Sequence, residues 1–307
     1  MRIAVLGGGG AMGGLFGGWL AAAGQDVTLV DVSAAVDAIN ADGLTIEEKD
    51  GGVRVVRVPA TRDPASVGVV DLIVTFTKCY HTPAAVTAAA PMIGPTTTVL
   101  SLQNGWGNAP RIAAVVGEGR VLAGLTYHSA TLLAPGRVRH PASGPTHIGE
   151  LDGRMSDRLE AVAGALTVAG FETHATPRVL DEVWKKLALN VCTLPTGALL
   201  RMTADALGRH DGTLALQQAL LRELVAVAQA QGIAIDYDER WAAIAGVLQR
   251  AVGVRGSMLQ DAEAARPTEI DVINGAIVEA GARLGIPTPY NQAMVWLVTA
   301  MQEGYAG

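Results

Sequence analysis

The chain has 307 residues, enough for two domains with sizeable cores. Half of the residues are hydrophobic and 17% are charged; a net charge of −6 without a long basic block argues against nucleic acid and anionic membranes as partners. The two cysteines, Cys79 and Cys192, form no C-x-x-C pair and no metal-ligand spacing. We therefore expect a cytoplasmic protein without a metal site.

The N-terminal residues contain a glycine loop directly after a predicted strand. Residues 3–6 are an apolar run that suits a buried parallel strand. The next residues fit G-x-G-x-x-G in one register, with Gly8, Gly10 and Gly13 as the three glycines. In this motif the first glycine allows a tight turn, the second lets backbone approach phosphates, and the third lets helix and strand pack closely.

An acid follows this loop at the distance that a dinucleotide site requires. A helix is predicted over residues 12–23 and a second strand over 27–30, and Asp31 lies 21 residues after Gly10. An acid there binds ribose hydroxyls, while the helix N-terminus offers free N–H groups to the pyrophosphate. The residues expected to contact the cofactor here are Gly8, Gly9, Gly10, Ala11, Met12, Gly13 and Asp31.

The same stretch also imitates a membrane helix, because residues 3–24 carry no charge and contain small residues spaced four apart. Nine glycines in that window, four of them consecutive, would make a poor helix. A basic segment with a cleavage site is missing as well. We therefore expect neither a membrane segment nor a signal peptide.

Strands and helices then alternate along the chain. Apolar runs and turn residues predict helices at 34–41 and 82–90, a hairpin over 44–59 that turns at 50–52, strands at 69–75, 98–102 and 121–125, and late antiparallel strands at 137–139 and 146–148. This rhythm predicts an α/β fold, with a Rossmann-type doubly wound sheet that binds the dinucleotide, over residues 1–176.

From about Pro177 the strand signals stop. Periodic apolar stripes predict helices at 179–200, 213–231, 239–251 and 269–284. Residues 177–307 therefore form an all-helical domain that we assign to substrate binding, and its alanine-rich character allows a homodimer. In proteins of this organisation the active site lies in the cleft between the domains, at the carboxyl ends of the strands.

A nicotinamide enzyme needs a proton donor and polar groups that fix the substrate. Lys186 and Asn190 are four residues apart on a predicted helix, so both face one way. Taken alone, Lys185 and Lys186 are better explained as a solvated face. Three histidines lack ligand spacing and are interpreted as structural, namely His128, His140 and His147.

Four more polar residues have both a functional and a plain structural interpretation. Lys78 and Asn104 each follow a predicted strand at its carboxyl end, but Lys78 alone fits a loop and Asn104 a turn. Ser257 fits an N-cap. Glu269 fits a cap of the helix that follows it.

Taken together, these stretches resemble the ketopantoate reductases (2-dehydropantoate 2-reductases), and the resemblance covers nearly the whole chain. They are IAVLGGGGAMGGLFGGWLAAAG at 3–24, TFTK ending at Lys78, SLQNGWGN at 101–108, GPTHIGE at 144–150, WKKLALNVC at 184–192 and GSMLQDAEAARPTEIDVINGAIVEAGARLGIPTP at 256–289. The last two are specific, because few other families combine them with an N-terminal glycine loop.

The resemblance implies a role for each polar residue. Lys186 is expected to be the general acid that protonates the carbonyl oxygen, and Glu269 to support it or hold a substrate hydroxyl. Lys78 is expected beside the cofactor, and Asn104 beside the nicotinamide ribose and the substrate. The residues expected to contact the substrate are Asn104, Asn190, Leu194 and Ser257, with Ser257 near the carboxylate.

Three departures from the family pattern change the expectations. The glycine loop is one residue longer than usual. Asp31 stands where the family has an arginine for the 2′-phosphate of NADPH, and no Lys or Arg occurs between Arg2 and Lys49, so NAD(H) is favoured over NADP(H). Leu194 replaces a substrate-binding asparagine four residues after Asn190, which indicates a more apolar substrate.

We therefore expect an NAD(P)-dependent oxidoreductase that acts on CH–OH groups and reduces a small-molecule 2-oxoacid, either ketopantoate or a branched or aromatic analogue. One alternative is an opine or β-hydroxyacid dehydrogenase, against which the segments SMLQD and PTEID argue. The other is a non-catalytic nucleotide sensor. Against it stands the joint presence of Lys186, Asn190, Ser257 and Glu269, since a sensor needs no proton donor.

Overall fold

The structure is a computed structural model that describes residues 1–306, and the chain forms two compact units. The first comprises Met1–Gln103 and Asn108–Val179. The second comprises Asn104–Gly107 together with the residues from Leu180 onward. Within residues 1–306, no helix combines the length and apolarity needed to cross a membrane.

All the strands in residues 1–306 lie in the first unit. In chain order they are β1 (Arg2–Leu6), β2 (Asp26–Val30), β3 (Leu44–Glu47), β4 (Val53–Val56), β5 (Ala60–Thr61), β6 (Val70–Thr75), β7 (Ile93–Ser101), β8 (Val121–Thr126), β9 (Ser129–Ala134), β10 (Arg137–Ala142), β11 (Thr146–Glu150) and β12 (Thr173–Ala175). They form one sheet of eight strands and another of four.

The eight-stranded sheet is the doubly wound sheet that the sequence predicts. Its order is β12-β11-β8-β7-β6-β1-β2-β5, and every neighbouring pair is parallel except β8 and β11. Because β1, β2, β6 and β7 run parallel, the loops that follow them emerge at one edge of the sheet. In open α/β sheets this carboxyl edge is where ligands bind.

The four-stranded sheet has the order β4-β3-β10-β9. The predicted hairpin is confirmed as the antiparallel pair β3–β4. The late strand β10 pairs antiparallel with β9 and parallel with β3, so it belongs to this second sheet. The sequence did not predict β9, whose residues lack a strong alternation of buried and exposed positions.

The helices of the first unit are α1 (Ala11–Ala22), α2 (Ala35–Asp42), α3 (Thr82–Ala88), α4 (Asn108–Val116) and α5 (Asp157–Val168). The glycines of α1 allow close packing against both sheets. A Cβ on Gly17 would lie 2.3 Å from a methyl of Leu29 in β2, and one on Gly18 would lie 2.6 Å from a methyl of Ile46 in β3. The glycine richness that imitates a membrane helix is therefore a packing requirement.

The second unit is helical, as predicted. Its helices are α6 (Val179–Leu200), α7 (Ala204–Leu207), α8 (Asp211–Ala230), α9 (Tyr237–Arg250), α10 (Ser257–Glu263), α11 (Asn274–Leu284) and α12 (Pro289–Glu303). The helix predicted over 269–284 begins later, because Ile270–Val272 forms a 3-10 turn and Ile273 leaves helical geometry at ψ −93°. The carbonyl of Val272 accepts a hydrogen bond from the N–H of Trp106, which removes it from the helical ladder.

Helix α6 continues through Pro195, which lies inside it. A proline removes the hydrogen bond to the carbonyl four residues earlier, here that of Val191. The side-chain amide of Asn274 donates to this carbonyl at 3.4 Å and to Asn291 at 3.0 Å. Since Asn274 and Asn291 are fully buried, α11 supplies the bond that α6 lacks.

Replacing Asn274 by Leu should lower the free energy of unfolding by about 1–3 kcal/mol, because it leaves the buried acceptors Val191 and Asn291 without their donor. Glu279→Leu, at an exposed position of the same helix, is the matched control and should change it little. Urea denaturation of both variants measures the difference. Equal stability of the two variants would mean that the amide contributes nothing.

Candidate active site

The loop after β1 turns sharply at Gly7 and leads into α1. Gly7 has φ +78°, a conformation that favours glycine, and the N–H groups of Gly7 and Gly8 both donate to the carbonyl of Val30. Gly10 is the N-cap of α1, and no side chain in the described part of the chain caps it. The first N–H groups of α1 therefore remain available to an anion.

The structure adds one detail to the predicted motif. The turn covers residues 7–9, and the positive φ within it falls at Gly7, which precedes the first glycine of the motif. Gly8 is instead a packing position, where a Cβ would lie 2.7 Å from the Cβ of Leu29. Gly13 has the close contact expected of the third glycine, since a Cβ there would lie 2.2 Å from the Gly7 carbonyl oxygen.

Asp31 follows β2 and binds the glycine loop directly. Its carboxylate accepts hydrogen bonds from the N–H of Gly9 at 2.9 Å and the N–H of Ser33 at 2.8 Å. A carboxylate has about four acceptor positions, so about two remain for ribose hydroxyls. An uncapped helix N-terminus, glycines without side chains and a carboxylate with free acceptor positions together fit a dinucleotide.

In the second unit, a lysine and an asparagine that are far apart in sequence form a hydrogen bond. The ammonium of Lys186 on α6 donates to the side-chain oxygen of Asn104 at 2.9 Å. Lys185, its neighbour, makes an ion pair with Glu182 at 2.9 Å on the same helix. The solvated-face interpretation therefore applies to Lys185, whereas Lys186 is partly buried and has a defined partner.

Burial decides the electrostatics of Lys186. Loss of hydration lowers the pKa of its ammonium to about 8, and the negative charge of Glu269 raises it in part. Glu269 is 7% exposed and lies at the N-terminus of the 3-10 turn Ile270–Val272. Its side chain makes no capping hydrogen bond to this turn. The structure thus brings together Lys186, Asn104 and Glu269, an ammonium of lowered pKa with two polar neighbours.

The loop that carries Asn104 is held by a hydrogen bond to another segment of the second unit. The N–H of Trp106 donates to the carbonyl of Val272 at 2.7 Å. Gly105 has φ +82°, and a Cβ there would lie 2.2 Å from the same carbonyl oxygen. The sequence identified Asn104-Gly105 as a turn but contained no signal for this contact.

Three further candidates lie on α6 or near the start of α10. Asn190 is buried and follows Lys186 by one helical turn. Leu194 lies one turn further along α6 and packs closely against Gly256. A Cβ added to Gly256 would lie 2.8 Å from Cδ2 of Leu194. Ser257 is exposed, and the N-cap of α10 is Gly256, so the N-cap interpretation of Ser257 is wrong.

Lys78 and the histidines complete the list of candidates. Lys78 is partly buried and follows β6 in the first unit, at the carboxyl edge of the sheet. His128 and His140 are buried with ring nitrogens 3.0 Å apart, and burial lowers the pKa of His128 to about 4. Within residues 1–306 no group of three or more metal-ligating side chains is present.

Gly105→Ala should destabilise the protein by clearly more than Gly24→Ala, measured by urea denaturation. Both glycines have positive φ, +82° and +85°, so both variants incur strain of about 1–2 kcal/mol. Only at Gly105 does the added Cβ meet backbone, because nothing lies within 4 Å of the position at Gly24. Equal losses would show that the loop moves away from Val272 without cost.

Comparisons with known proteins give one consistent result. The family model "Ketopantoate reductase PanE/ApbA" matches residues 3–153, and its C-terminal counterpart matches residues 178–302. The 2-dehydropantoate 2-reductase of Pyrococcus horikoshii is 33% identical, with 100% of this chain and 99% of that protein aligned. The enzyme of that name from Halobacterium salinarum is 35% identical, with 99% of each chain aligned.

Two solved structures are closely similar. A PanE/ApbA family ketopantoate reductase from Ralstonia eutropha has a TM-score of 0.92 at 30% identity, covering 100% of both chains. D-mandelate dehydrogenase in complex with NADH and anilino(oxo)acetate has a TM-score of 0.93 at 28% identity, again covering 100% of both chains. On this evidence of sequence and fold, the chain belongs to the ketopantoate reductase family of oxidoreductases.

Proposed function

We propose that this chain is a nicotinamide-dependent 2-oxoacid reductase, that it prefers NADH, and that Lys186 is its general acid. The observation that carries the proposal is the 2.9 Å hydrogen bond between the Lys186 ammonium and Asn104. It places a cationic proton donor in a fixed orientation. A nucleotide sensor has no use for such a group.

A bound dinucleotide supplies the hydride in this reaction. As the substrate carbonyl oxygen gains negative charge, the ammonium of Lys186 stabilises it and then donates a proton to it. Asn104 takes one of the three N–H donors of the ammonium and leaves two for the substrate. A pKa of about 8 keeps most of the lysine protonated at pH 7 while making the proton easier to transfer.

The other residues of the second unit hold the lysine and the substrate in this proposal. Glu269 favours the charged form of Lys186, since its carboxylate raises the pKa of that ammonium. Asn190 contacts the substrate from the helical turn after Lys186, and Ser257 contacts its carboxylate. On the first unit, Lys78 lies beside the cofactor.

The proposed substrate is a 2-oxoacid with a branched or aromatic side chain. Leu194 presents an apolar side chain where the family has a polar one, and its contact with Gly256 places it next to Ser257. The similar D-mandelate dehydrogenase is named for an aromatic 2-hydroxyacid. Ketopantoate is the second candidate, because the curated relatives are named for its reduction.

The NADH preference rests on Asp31. Its carboxylate is anchored by the N–H groups of Gly9 and Ser33, so it is held at the end of β2. A carboxylate in this place accepts hydrogen bonds from ribose hydroxyls and repels a 2′-phosphate. The D-mandelate dehydrogenase structure contains NADH, which agrees with this preference.

Lys186→Ala should lower kcat for 2-oxoacid reduction by about 10²–10⁴-fold, because it removes the proton donor. The dissociation constant of NADH should stay within about twofold, and Lys185→Ala, the adjacent control, should leave kcat almost unchanged. Unchanged turnover in Lys186→Ala would exclude this lysine as the acid.

In the unmodified enzyme, kcat for reduction should fall as pH rises through about 8, since the acid must be protonated. The reverse oxidation should show the opposite trend.

Leu194→Asn should shift specificity toward ketopantoate. The ratio of kcat/KM for ketopantoate to that for phenylglyoxylate should rise about tenfold or more. The asparagine amide can form a hydrogen bond with a substrate hydroxyl, which the side chain of Leu194 cannot. Leu200→Asn, at an exposed position of the same helix, is the control. NADH oxidation against ketopantoate, 2-oxoisovalerate, 2-oxoisocaproate and phenylglyoxylate provides the data. A preference of the unmodified enzyme for ketopantoate would contradict the apolar substrate.

A further inference from the structure

An ion pair with two parallel hydrogen bonds lies beside the end of β2. Nη1 and Nη2 of Arg62 donate to the two carboxylate oxygens of Asp37 at 2.7 and 2.6 Å. Nη2 also donates to the carbonyl of Ser33 at 3.2 Å. Asp37 lies in the first turn of α2, and Arg62 directly follows β5, so two different elements hold the pair.

The sheet places this pair next to Asp31. Strands β2 and β5 are parallel neighbours, with Val30 opposite Thr61, and the N–H of Asp31 donates to the carbonyl of Thr61 at 3.1 Å. Ser33 donates its N–H to the Asp31 carboxylate and accepts from Arg62 through its carbonyl. The guanidinium of Arg62 and the carboxylate of Asp31 therefore contact the same residue from two sides.

This position is the one where the two nicotinamide dinucleotides differ. An acid after the second strand of such a fold faces the adenosine ribose, and NADPH carries its additional phosphate on that ribose. Arg62 is the cation that the fold brings to this place, although the sequence from Ile3 to Glu48 contains no Lys or Arg. A planar guanidinium is well suited to bind a phosphate through two hydrogen bonds.

Asp37 occupies the donors that a phosphate would need. The Arg62 guanidinium beside it lowers the pKa of the Asp37 carboxyl, so the pair is fully ionised near neutral pH. Both side chains are exposed, 45% for Arg62 and 72% for Asp37, so solvent screens their attraction. In an exposed pair of this kind, another anion can compete with the Asp37 carboxylate for the guanidinium.

We propose that Arg62 is a specificity-determining residue for the cofactor and that Asp37, by keeping its charge paired, makes the site favour NADH. This inference rests on the proposed function, because it assumes that the glycine loop and Asp31 bind a nicotinamide dinucleotide. Asp31 repels the 2′-phosphate, and Asp37 withholds the nearby cation that would attract it. The preference therefore depends on two carboxylates.

The test is direct binding of NADH and NADPH, followed by the fluorescence of the reduced nicotinamide. Asp37→Asn keeps the shape of the side chain and removes its charge. It should tighten NADPH binding by about tenfold or more through freed charge-assisted hydrogen bonds, and change NADH binding by less than about twofold. Adding Arg62→Gln to this variant should abolish the gain, and higher salt should reduce it.

A control separates this effect from a change in net charge. Glu279 and Arg283 form an exposed pair on α11, so Glu279→Gln removes one negative charge elsewhere and should leave both dissociation constants unchanged. The inference is overturned if Asp37→Asn leaves the ratio of the NADPH and NADH dissociation constants unchanged, or if its tighter NADPH binding persists after Arg62→Gln is added. In either case, NADH binding by the unmodified protein still supports the cofactor site. Failure of the unmodified protein to bind either dinucleotide overturns the proposed function and this inference with it.

Discussion

The hydrogen bond between Lys186 and Asn104 joins two separate segments of the second unit. Lys186 is carried by α6, and Asn104 lies in the loop of residues 104–107, which a hydrogen bond from Trp106 to Val272 holds in place. Burial then lowers the pKa of the lysine to about 8, which an exposed lysine would not show. The lowered pKa of this lysine is thus a property of the packed unit and not of the side chain itself.

The helix that carries this lysine has an interior proline. Pro195 frees the carbonyl of Val191, and the buried amide of Asn274 on α11 donates to it. The segment before α11 contains Glu269, which precedes a 3-10 turn, and Val272, the last residue of that turn. One stretch of chain therefore supports α6, anchors the Asn104 loop and supplies a carboxylate that acts on the lysine.

The first unit meets a different constraint, which is the close packing of a helix between two sheets. The glycines of α1 let Leu29 of one sheet and Ile46 of the other approach its backbone. The same helix exposes an uncapped N-terminus next to Asp31, whose carboxylate is hydrogen-bonded to the glycine loop. One glycine-rich segment thus allows the close packing and leaves the first N–H groups of α1 available to an anion.

Much of this organisation could be predicted from sequence, because it depends on local pattern. Apolar runs, helical periodicity and glycine spacing predicted the doubly wound sheet and the helical second unit, while the resemblance of separate sequence stretches indicated the family. The positions of Arg62 and Gly7 were not predicted, because they depend on contacts between distant parts of the chain. Arg62, for example, pairs with Asp37, which lies 25 residues away in sequence. The bond between Lys186 and Asn104 spans 82 residues, so no local pattern in the sequence shows that these two groups meet or that burial removes water from the lysine.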